Sequence, residues 1–378
     1  MRMIQLLCGA IMAGLGVSPV VQTRPPQPTI AAQAAIVINA ATGTILYEKQ
    51  AFRQMDPASL TKMMTAAIII RAGHLDRLVP VSSEAALVEG SKLHILPGQR
   101  YTVRDLLRGL LLRSGNDAAI ALAEAESGSV ERFAARMNRT AQAWGAFNTA
   151  FRNPNGLTES GHYSSAYDLA LIARRAMALP RFRAIVAQRE ATVEERTTGT
   201  QRKIRTTNRL LLEFPGADGI KTGTTVAAGQ CLVASARRHG YRLIAVVLKS
   251  RNRWHDAAHL LDWGFQHWTM HTLYHRGQIV RRVRVVGGRV RTVALLASRT
   301  VAVSVPVGAQ VKVKAEFPET LRAPVRKQTP VGYIQIWPED ELPIRLAVLP
   351  QQAVKAKCFA PRWPAVGAVS RGRWACPV

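Results

Sequence analysis

Apolar residues recur at the spacing of amphipathic helices over much of the first 275 residues. The same stretch begins with the pattern of a strand hairpin around a Thr-Gly turn, and it has a strand-rich segment at 192–207 and two apolar strands before its last helix. The predicted helices cover 60–70, 103–112, 118–125, 130–143, 165–177 and 256–274, and the predicted strands cover 35–39, 45–47, 230–236 and 242–249. This mixture indicates an α/β (α+β) domain over residues 35–275.

The periodicity changes near residue 278, where apolar and polar residues begin to alternate as in half-buried strands. The predicted strands cover 279–286, 290–295, 301–305, 311–315 and 333–336. Short strands at regular spacing predict a small all-β, sandwich-like domain over residues 276–352. The last stretch, 353–378, is basic and has no regular period, so it is expected to be disordered.

The N-terminus has the pattern of an export signal. A basic start, Met1-Arg2-Met3, precedes an uncharged apolar run from 4 to 21 whose glycines and proline favour a cleaved signal over an anchor. We expect a signal peptide at 1–22, with its cleavage site left open, and a Pro-rich linker at 23–34. The predicted location is the periplasm or cell envelope, peripheral on the inner membrane.

Composition and net charge limit the classes of binding partner. The 378 residues are 48% hydrophobic, which predicts a folded body, and carry a formal charge of +27 with a pI of about 11.2. Such a charge attracts polyanions, and export leaves an anionic membrane or envelope surface rather than nucleic acid as the partner. Of the four cysteines, Cys231 is expected in the core. Cys358 and Cys376 could form a disulfide in an oxidising compartment, and the sequence leaves this open.

A serine and a lysine open the first long apolar helix. Ser59 and Lys62 are three residues apart, so both side chains lie on one helix face, and a neutral amine there can take the proton of the hydroxyl. The simpler interpretation is a solvent-exposed cap serine with a surface lysine. The two residues alone therefore give only a hypothesis of nucleophilic catalysis.

A polar loop interrupts two apolar helices at Ser114-Gly115-Asn116-Asp117. Polar side chains inside a hydrophobic helix pair need partners, which favours a site that faces a cleft. Alternatively, Asn116 or Asp117 caps the next helix, and both interpretations are compatible.

A third motif, Lys221-Thr222-Gly223, stands on a strand that leads into the antiparallel sheet. It offers a cation, a hydroxyl and a position without a side chain, where a ligand backbone can approach closely. A rival site, His255-Asp256-Ala257-Ala258-His259, resembles a zinc helix, but Asp replaces the expected Glu, so we expect exposed histidines and no metal.

The three motifs, in this order, resemble those of the penicillin-recognising serine acyltransferases. Within that group the chain resembles the low-molecular-weight penicillin-binding proteins, the serine-type D-alanyl-D-alanine carboxypeptidases. The resemblance also covers Asn153-Pro154-Asn155-Gly156-Leu157 and Leu321-Arg322-Ala323-Pro324-Val325. It implies a β-lactamase/transpeptidase-like domain, with an antiparallel sheet flanked by helices, followed by a β-rich C-terminal domain.

The resemblance implies a role for each motif residue. Ser59 would attack the carbonyl between two terminal D-alanines, and Lys62 would be its base. Ser114 and Asn116 would relay the proton and orient the substrate amide, and Lys221 would make the potential around the hydroxyls more positive.

Substrate binding is implied for the strand and for one arginine. Thr222 and Arg253 would hold the terminal carboxylate, with Arg251 as the substitute if the loop runs differently. Gly223 would let the substrate lie close, and the N–H groups of the nucleophile and of Thr224 would form the oxyanion hole. The implied substrate is a peptidoglycan pentapeptide, β-lactams would be covalent inhibitors, and no cofactor is expected.

Some features depart from the family pattern or leave alternatives. Asn39 stands where the family usually has Asp, Thr224 occupies a variable position, and the C-terminal amphipathic anchor of many members is missing. A D,D-endopeptidase is the nearest rival activity. A serine β-lactamase is less expected because no E-x-x-L-N stretch is present, and a silent envelope-binding scaffold is less expected because every motif residue is present.

Overall fold

The computed structural model describes residues 25–338 and 342–357. The chain divides into two compact units, with one unit up to Thr269 together with Pro306–Ala309, and a second formed by Met270–Val305 and the residues from Gln310 onward. The predicted signal peptide, Cys358, Cys376 and most of the predicted tail lie outside the described residues. No helix in the described ranges is long and apolar enough to cross a membrane.

The first unit mixes helices and strands, as the periodicity predicts. Its helices α1–α9 are Lys62–Ala72, Ser83–Leu87, Val103–Leu112, Asn116–Ser127, Val130–Ala143, Ala166–Met177, Pro180–Val186, Leu210–Glu213 and Arg253–His267. Its strands β1–β9 are Ala34–Asn39, Ile45–Lys49, Leu78–Pro80, Arg100–Thr102, Glu190–Glu194, Gln201–Arg205, Ala217–Thr225, Gly229–Arg238 and Tyr241–Ser250.

An antiparallel sheet with the strand order β2-β1-β9-β8-β7 forms the centre of this unit. Successive residues in the middle of β8 and β9 are buried, and because alternate strand residues point to opposite sides, both faces of the sheet are covered by helices. Ile36 and Val246 belong to the core that includes α1 and α6, whereas Leu243 faces α9. A Cβ on Gly264 of α9 would lie 2.7 Å from Leu243 Cδ1, so this glycine permits the close approach of helix and sheet.

The structure corrects several of the predicted helix boundaries. Helix α9 begins at Arg253, where the Asn252 side chain accepts a hydrogen bond from the backbone N–H of His255, and ends at His267 rather than at 274. The following residues, Trp268–Tyr274, form strand β10, because pairing with a strand distant in sequence overrides their local preference. Helix α4 begins at Asn116 rather than 118.

The second unit is all-β. Besides β10, its strands β11–β17 are Ile279–Val286, Thr292–Ala297, Val301–Pro306, Lys312–Glu316, Thr320–Arg322, Gly332–Trp337 and Ile344–Pro350. Six of them form a sheet in the order β14-β16-β17-β12-β11-β15, and β10 pairs with β13. Val354 and Ala356 form bridges with Val325 and Gly288, so this unit continues past 352, where the sequence predicted that the tail begins.

Candidate active site

The nucleophile candidate lies in a tight turn just before α1. Residues Ala58–Thr61 form a 3-10 helix, and Lys62 is the first residue of α1, so Ser59 precedes the α-helix instead of lying in its first turn. Ala58 has a φ of 47°, which is uncommon outside glycine, and it is buried. This turn directs the Ser59 hydroxyl toward Lys62, whose Nζ is 2.9 Å from Ser59 Oγ.

Lys62 is fully buried, and its amine contacts three oxygen atoms. Nζ donates to Ser59 Oγ at 2.9 Å, to Asn116 Oδ1 at 2.6 Å and to the Asn155 carbonyl at 2.6 Å. Burial lowers the pKa of Lys62 well below its usual value, the charge of Lys221 lowers it further, and Asp117 opposes the shift.

The three acceptors also determine where the lone pair of a neutral Lys62 points. The oxygens of Asn116 and Asn155 can only accept, so the two N–H bonds that remain after deprotonation stay directed at them. The free lone pair then faces Ser59 Oγ, which becomes the donor. This is the geometry that a general base for the serine requires.

The loop between α3 and α4 supplies the second motif. Ser114 is buried and adopts a φ of 63°, in the left-handed region. Asn116 Nδ2 donates to the Glu89 carbonyl at 2.5 Å, which orients the amide with Oδ1 toward Lys62. The backbone N–H of Asn116 donates to the Ser91 carbonyl at 2.7 Å, so the segment at 89–91 holds Asn116 through both its side chain and its backbone.

The alternative that Asn116 or Asp117 is the N-cap is wrong, because Gly115 holds that position in α4, although Asp117 still accepts a hydrogen bond from a backbone N–H of the first turn. The Asp117 carboxylate is fully buried and accepts hydrogen bonds from the backbone N–H groups of Leu93, Ile95 and Ala118. It fixes the segment at 91–95 against α4 and supplies a negative charge near Lys62.

Strand β7 carries the third motif next to the nucleophile turn. Lys221 is buried, and its Nζ donates to the Thr222 carbonyl at 2.8 Å. Burial and the nearby charge of Arg253 lower the pKa of Lys221 to about 7. A Cβ on Gly223 would lie 3.2 Å from both Ala58 Cβ and the Pro57 carbonyl. Close packing of β7 on the turn that carries Ser59 is thus one reason for glycine here.

Arg253, one of the two predicted carboxylate-binding residues, contacts the end of β7. Arg253 Nη1 donates to Thr224 Oγ1 at 2.7 Å and to the Gly223 carbonyl at 2.9 Å, whereas Arg251 is exposed and makes no hydrogen bond or ion pair with the described part of the chain. Thr222 Oγ1 lies 2.9 Å from Thr207 Oγ1. Of the two candidate arginines, Arg253 and not Arg251 therefore contacts the strand that carries the third motif.

Sequence reasoning missed two contributors to this site. The Asn155 carbonyl contacts Lys62, and Asn153 shapes its loop by accepting from the Gly156 N–H at 2.7 Å. His162 lies behind the nucleophile turn, with its Nε2 2.9 Å from Thr61 Oγ1. The Asn-Pro-Asn-Gly run signalled a tight turn, but no local pattern placed it beside Lys62, and nothing in the sequence distinguished His162.

The histidine tautomer follows from its neighbours. His162 Nδ1 accepts a hydrogen bond from the Arg152 backbone N–H at 3.1 Å, so a neutral ring donates from Nε2 to the Thr61 hydroxyl. Burial lowers the pKa of His162 to about 4, while Glu159 opposes the shift. His162 is neutral near pH 7 and acts as a positioning residue.

The histidines of α9 have a different environment. His255 and His259 are exposed and stack on each other with ring centroids 5.8 Å apart. Within residues 25–338 and 342–357, no group of three His, Cys, Asp or Glu side chains is arranged to hold a metal ion.

Comparisons with known proteins agree with this geometry. Residues 21–252 match the family model described as D-alanyl-D-alanine carboxypeptidase, and residues 268–356 match the C-terminal domain of penicillin-binding protein 5. D-alanyl-D-alanine carboxypeptidase DacF of Bacillus subtilis is 35% identical over 341 residues, covering 87% of each chain. DacC of Escherichia coli is 36% identical over 328 residues, covering 81% of this chain and 80% of that one.

Solved structures show the same relationship. The structure of penicillin binding protein 5 from Haemophilus influenzae superimposes with a TM-score of 0.75 at 31% identity, covering 90% of this chain and all of that one. The predicted fold, an antiparallel sheet with helices followed by an all-β domain, is confirmed. The chain belongs to the D-alanyl-D-alanine carboxypeptidase family, the serine peptidases among the low-molecular-weight penicillin-binding proteins.

Proposed function

We propose that this enzyme removes the terminal D-alanine from peptidoglycan pentapeptides, with Ser59 as the nucleophile and Lys62 as its base. The main support is the environment of the Lys62 amine. It is buried and its pKa is lowered, and its bonds to Asn116 Oδ1 and the Asn155 carbonyl leave the lone pair of the neutral amine facing Ser59 Oγ. A β-lactam would acylate the same serine and leave slowly.

The chemistry proceeds in two halves. Ser59 Oγ attacks the carbonyl carbon of the penultimate D-alanine while its proton passes to Lys62 Nζ, and the N–H groups of Ser59 and Thr224 bind the oxyanion. The C–N bond then breaks as the leaving amine takes a proton delivered from Lys62 through Ser114. Water, deprotonated by the same lysine, hydrolyses the acyl-enzyme and restores Ser59.

Lys221 and Asn116 would support these steps without changing covalently. Lys221, buried on β7, would keep the potential positive around the serine hydroxyls when it is protonated. The Asn116 side chain already joins Lys62 to the loop at Glu89, and would present its amide to the substrate. Both assignments rest on burial and on these contacts.

Intact-mass spectrometry after benzylpenicillin tests the nucleophile. We expect one adduct that maps to Ser59, and none in Ser59→Ala. Release of D-alanine from a pentapeptide then separates this activity from a D,D-endopeptidase, which would instead cleave cross-linked dimers faster. Rapid turnover of benzylpenicillin would contradict the assignment and favour a β-lactamase.

We also propose that Arg253 recognises the substrate carboxylate, together with Thr222 and Thr224. Support comes from the hydrogen bonds of Arg253 Nη1 to Thr224 Oγ1 and the Gly223 carbonyl, which place a guanidinium at the end of β7. Arg253→Gln should lose the preference for a peptide with a free terminal carboxylate over its amide. Arg251→Gln is the matched control and should keep it; equal preference loss in both variants would refute the role.

The location is proposed to be the cell envelope, held electrostatically at an anionic surface. The solvent face of the six-stranded sheet supports this, since Arg282, Arg284, Lys312, Lys314 and Arg345 lie on it by strand register. Binding to anionic vesicles should weaken with salt and on removal of residues 355–378. Salt-independent binding would contradict the proposal, and binding that survives the truncation unchanged would show that the tail does not contribute.

A further inference from the structure

A cationic pocket lies on the helical part of the first unit. We call it the arginine pocket; its volume is about 540 Å³. Helices α1, α5 and α6 line it with the four arginines Arg71, Arg136, Arg139 and Arg175, and the residue after α5, Trp144, also lines it. Four guanidinium groups around one depression repel each other unless anions bind between them.

The arginines of this pocket are only partly used within the protein. Arg136 donates to Glu126 at 2.6 Å, and Arg71 lies over the Trp144 ring at 5.7 Å. In the described part of the chain, the side chains of Arg139 and Arg175 make neither a hydrogen bond nor an ion pair. At least two guanidinium groups are therefore available to an external ligand.

Helix dipoles explain only some of these residues. Arg71 and Arg175 lie in the last turns of α1 and α6, where a positive charge stabilises the helix end. Arg139 lies before the last turn of α5, which contains no basic residue. Arg136 pairs with Glu126, so compensation of helix ends leaves only Arg139, among the four arginines of the pocket, without a role inside the protein.

The donor set points to a phosphate. Each guanidinium offers up to five N–H donors in a planar fork, and a carboxylate has only two oxygens to receive them. A phosphate presents more acceptor oxygens and a higher charge, and the pocket has the size of a site for a phosphorylated group rather than for a single bound ion.

We propose that the arginine pocket binds a phosphate-bearing ligand, either a soluble phosphorylated molecule or a lipid headgroup. It is separate from the catalytic residues: Arg71 follows Lys62 by nine residues on the same helix, roughly 14 Å along the axis. The proposal does not depend on the peptidase activity.

Two charge-matched variants test it. Arg139→Gln/Arg175→Gln removes the two free guanidinium groups, and Arg132→Gln/Arg189→Gln removes two exposed arginines that do not line the pocket. Calorimetry with pyrophosphate and cosedimentation with vesicles containing phosphatidylglycerol, both at physiological ionic strength, provide the readouts. Acylation by benzylpenicillin should stay unchanged in both variants and reports that each is folded.

We expect the pocket variant to bind one of the two probes at least about tenfold more weakly than the unmodified enzyme, and the control to bind it within about twofold. Loss of pyrophosphate binding identifies a soluble phosphorylated ligand, and loss confined to vesicles identifies a headgroup. The same loss in both variants would overturn the proposal, because it would show a response to net charge. Absence of binding to either probe by the unmodified enzyme would overturn it as well.

Discussion

Replacement of Lys62 by methionine removes the proposed base while keeping most of the side-chain volume. Lys62 is fully buried, so the variant exposes no new surface. The amine is lost from the hydrogen bonds to Ser59 Oγ, Asn116 Oδ1 and the Asn155 carbonyl. The change therefore separates the chemistry of the amine from the packing of α1.

The expected effects on rate and stability differ. General-base catalysis is worth about 10²–10⁴ in rate, which corresponds to roughly 3–5 kcal/mol in the barrier. Stability changes less, because two terms oppose each other. The Asn116 and Asn155 oxygens each lose a donor, at about 1–3 kcal/mol, but the penalty for burying an amine disappears.

The assay is the second-order rate constant of Ser59 acylation by benzylpenicillin, followed by intact mass from about pH 5 to pH 10. The unmodified enzyme should acylate faster as pH rises through the depressed pKa of Lys62, because only the neutral amine accepts a proton. Lys62→Met should lose at least about a hundredfold at its optimum and lose this ascending limb.

Two further variants make the result decisive. Lys62→Arg keeps the cation but stays protonated, so it should be as slow as Lys62→Met. Lys203→Met, an exposed residue paired with Glu190 at 2.8 Å, should react at the unmodified rate. If Lys62→Arg or Lys62→Met acylates within about tenfold of the unmodified enzyme, Lys62 is not the base.

Three other changes test the surroundings of Ser59. Gly223→Ala should slow acylation by about a hundredfold, since its Cβ would lie 3.2 Å from Ala58 Cβ and displace the nucleophile turn; a normal rate would show that β7 adapts. Asp117→Asn removes a charge that raises the pKa of Lys62, so the ascending limb of the acylation profile should move to lower pH, and a shift to higher pH would contradict the electrostatics. His162 has a pKa near 4 in the folded protein and about 6.5 in the unfolded chain, so the unfolded chain binds the proton first as pH falls. The free energy of unfolding should therefore decrease between pH 6.5 and pH 4, by up to about 3 kcal/mol. Urea unfolding of His162→Gln should lack this decrease.

The sequence by itself determined the elements and the kind of chemistry. Helices α3 and α5 have the predicted bounds because their apolar residues repeat at helical spacing, and the hairpin β1–β2 surrounds the predicted turn. Three spaced motifs indicated the family, since Ser-x-x-Lys, Ser-x-Asn and Lys-Thr-Gly in this order are informative together although each is common alone. The helix prediction failed at Trp268–Tyr274, where pairing with β13 decides the conformation.

Only the tertiary structure decided how the motifs work together. Ser59, Asn116 and Lys221 are far apart in sequence, and the Lys62 pKa depends on how completely the folded chain removes water and which charges it brings near. The Asn155 carbonyl orients the Lys62 lone pair through a backbone atom that every residue has, so no residue pattern could reveal it. The arginine pocket has the same origin, because helices α1, α5 and α6 bring its arginines together only when they pack.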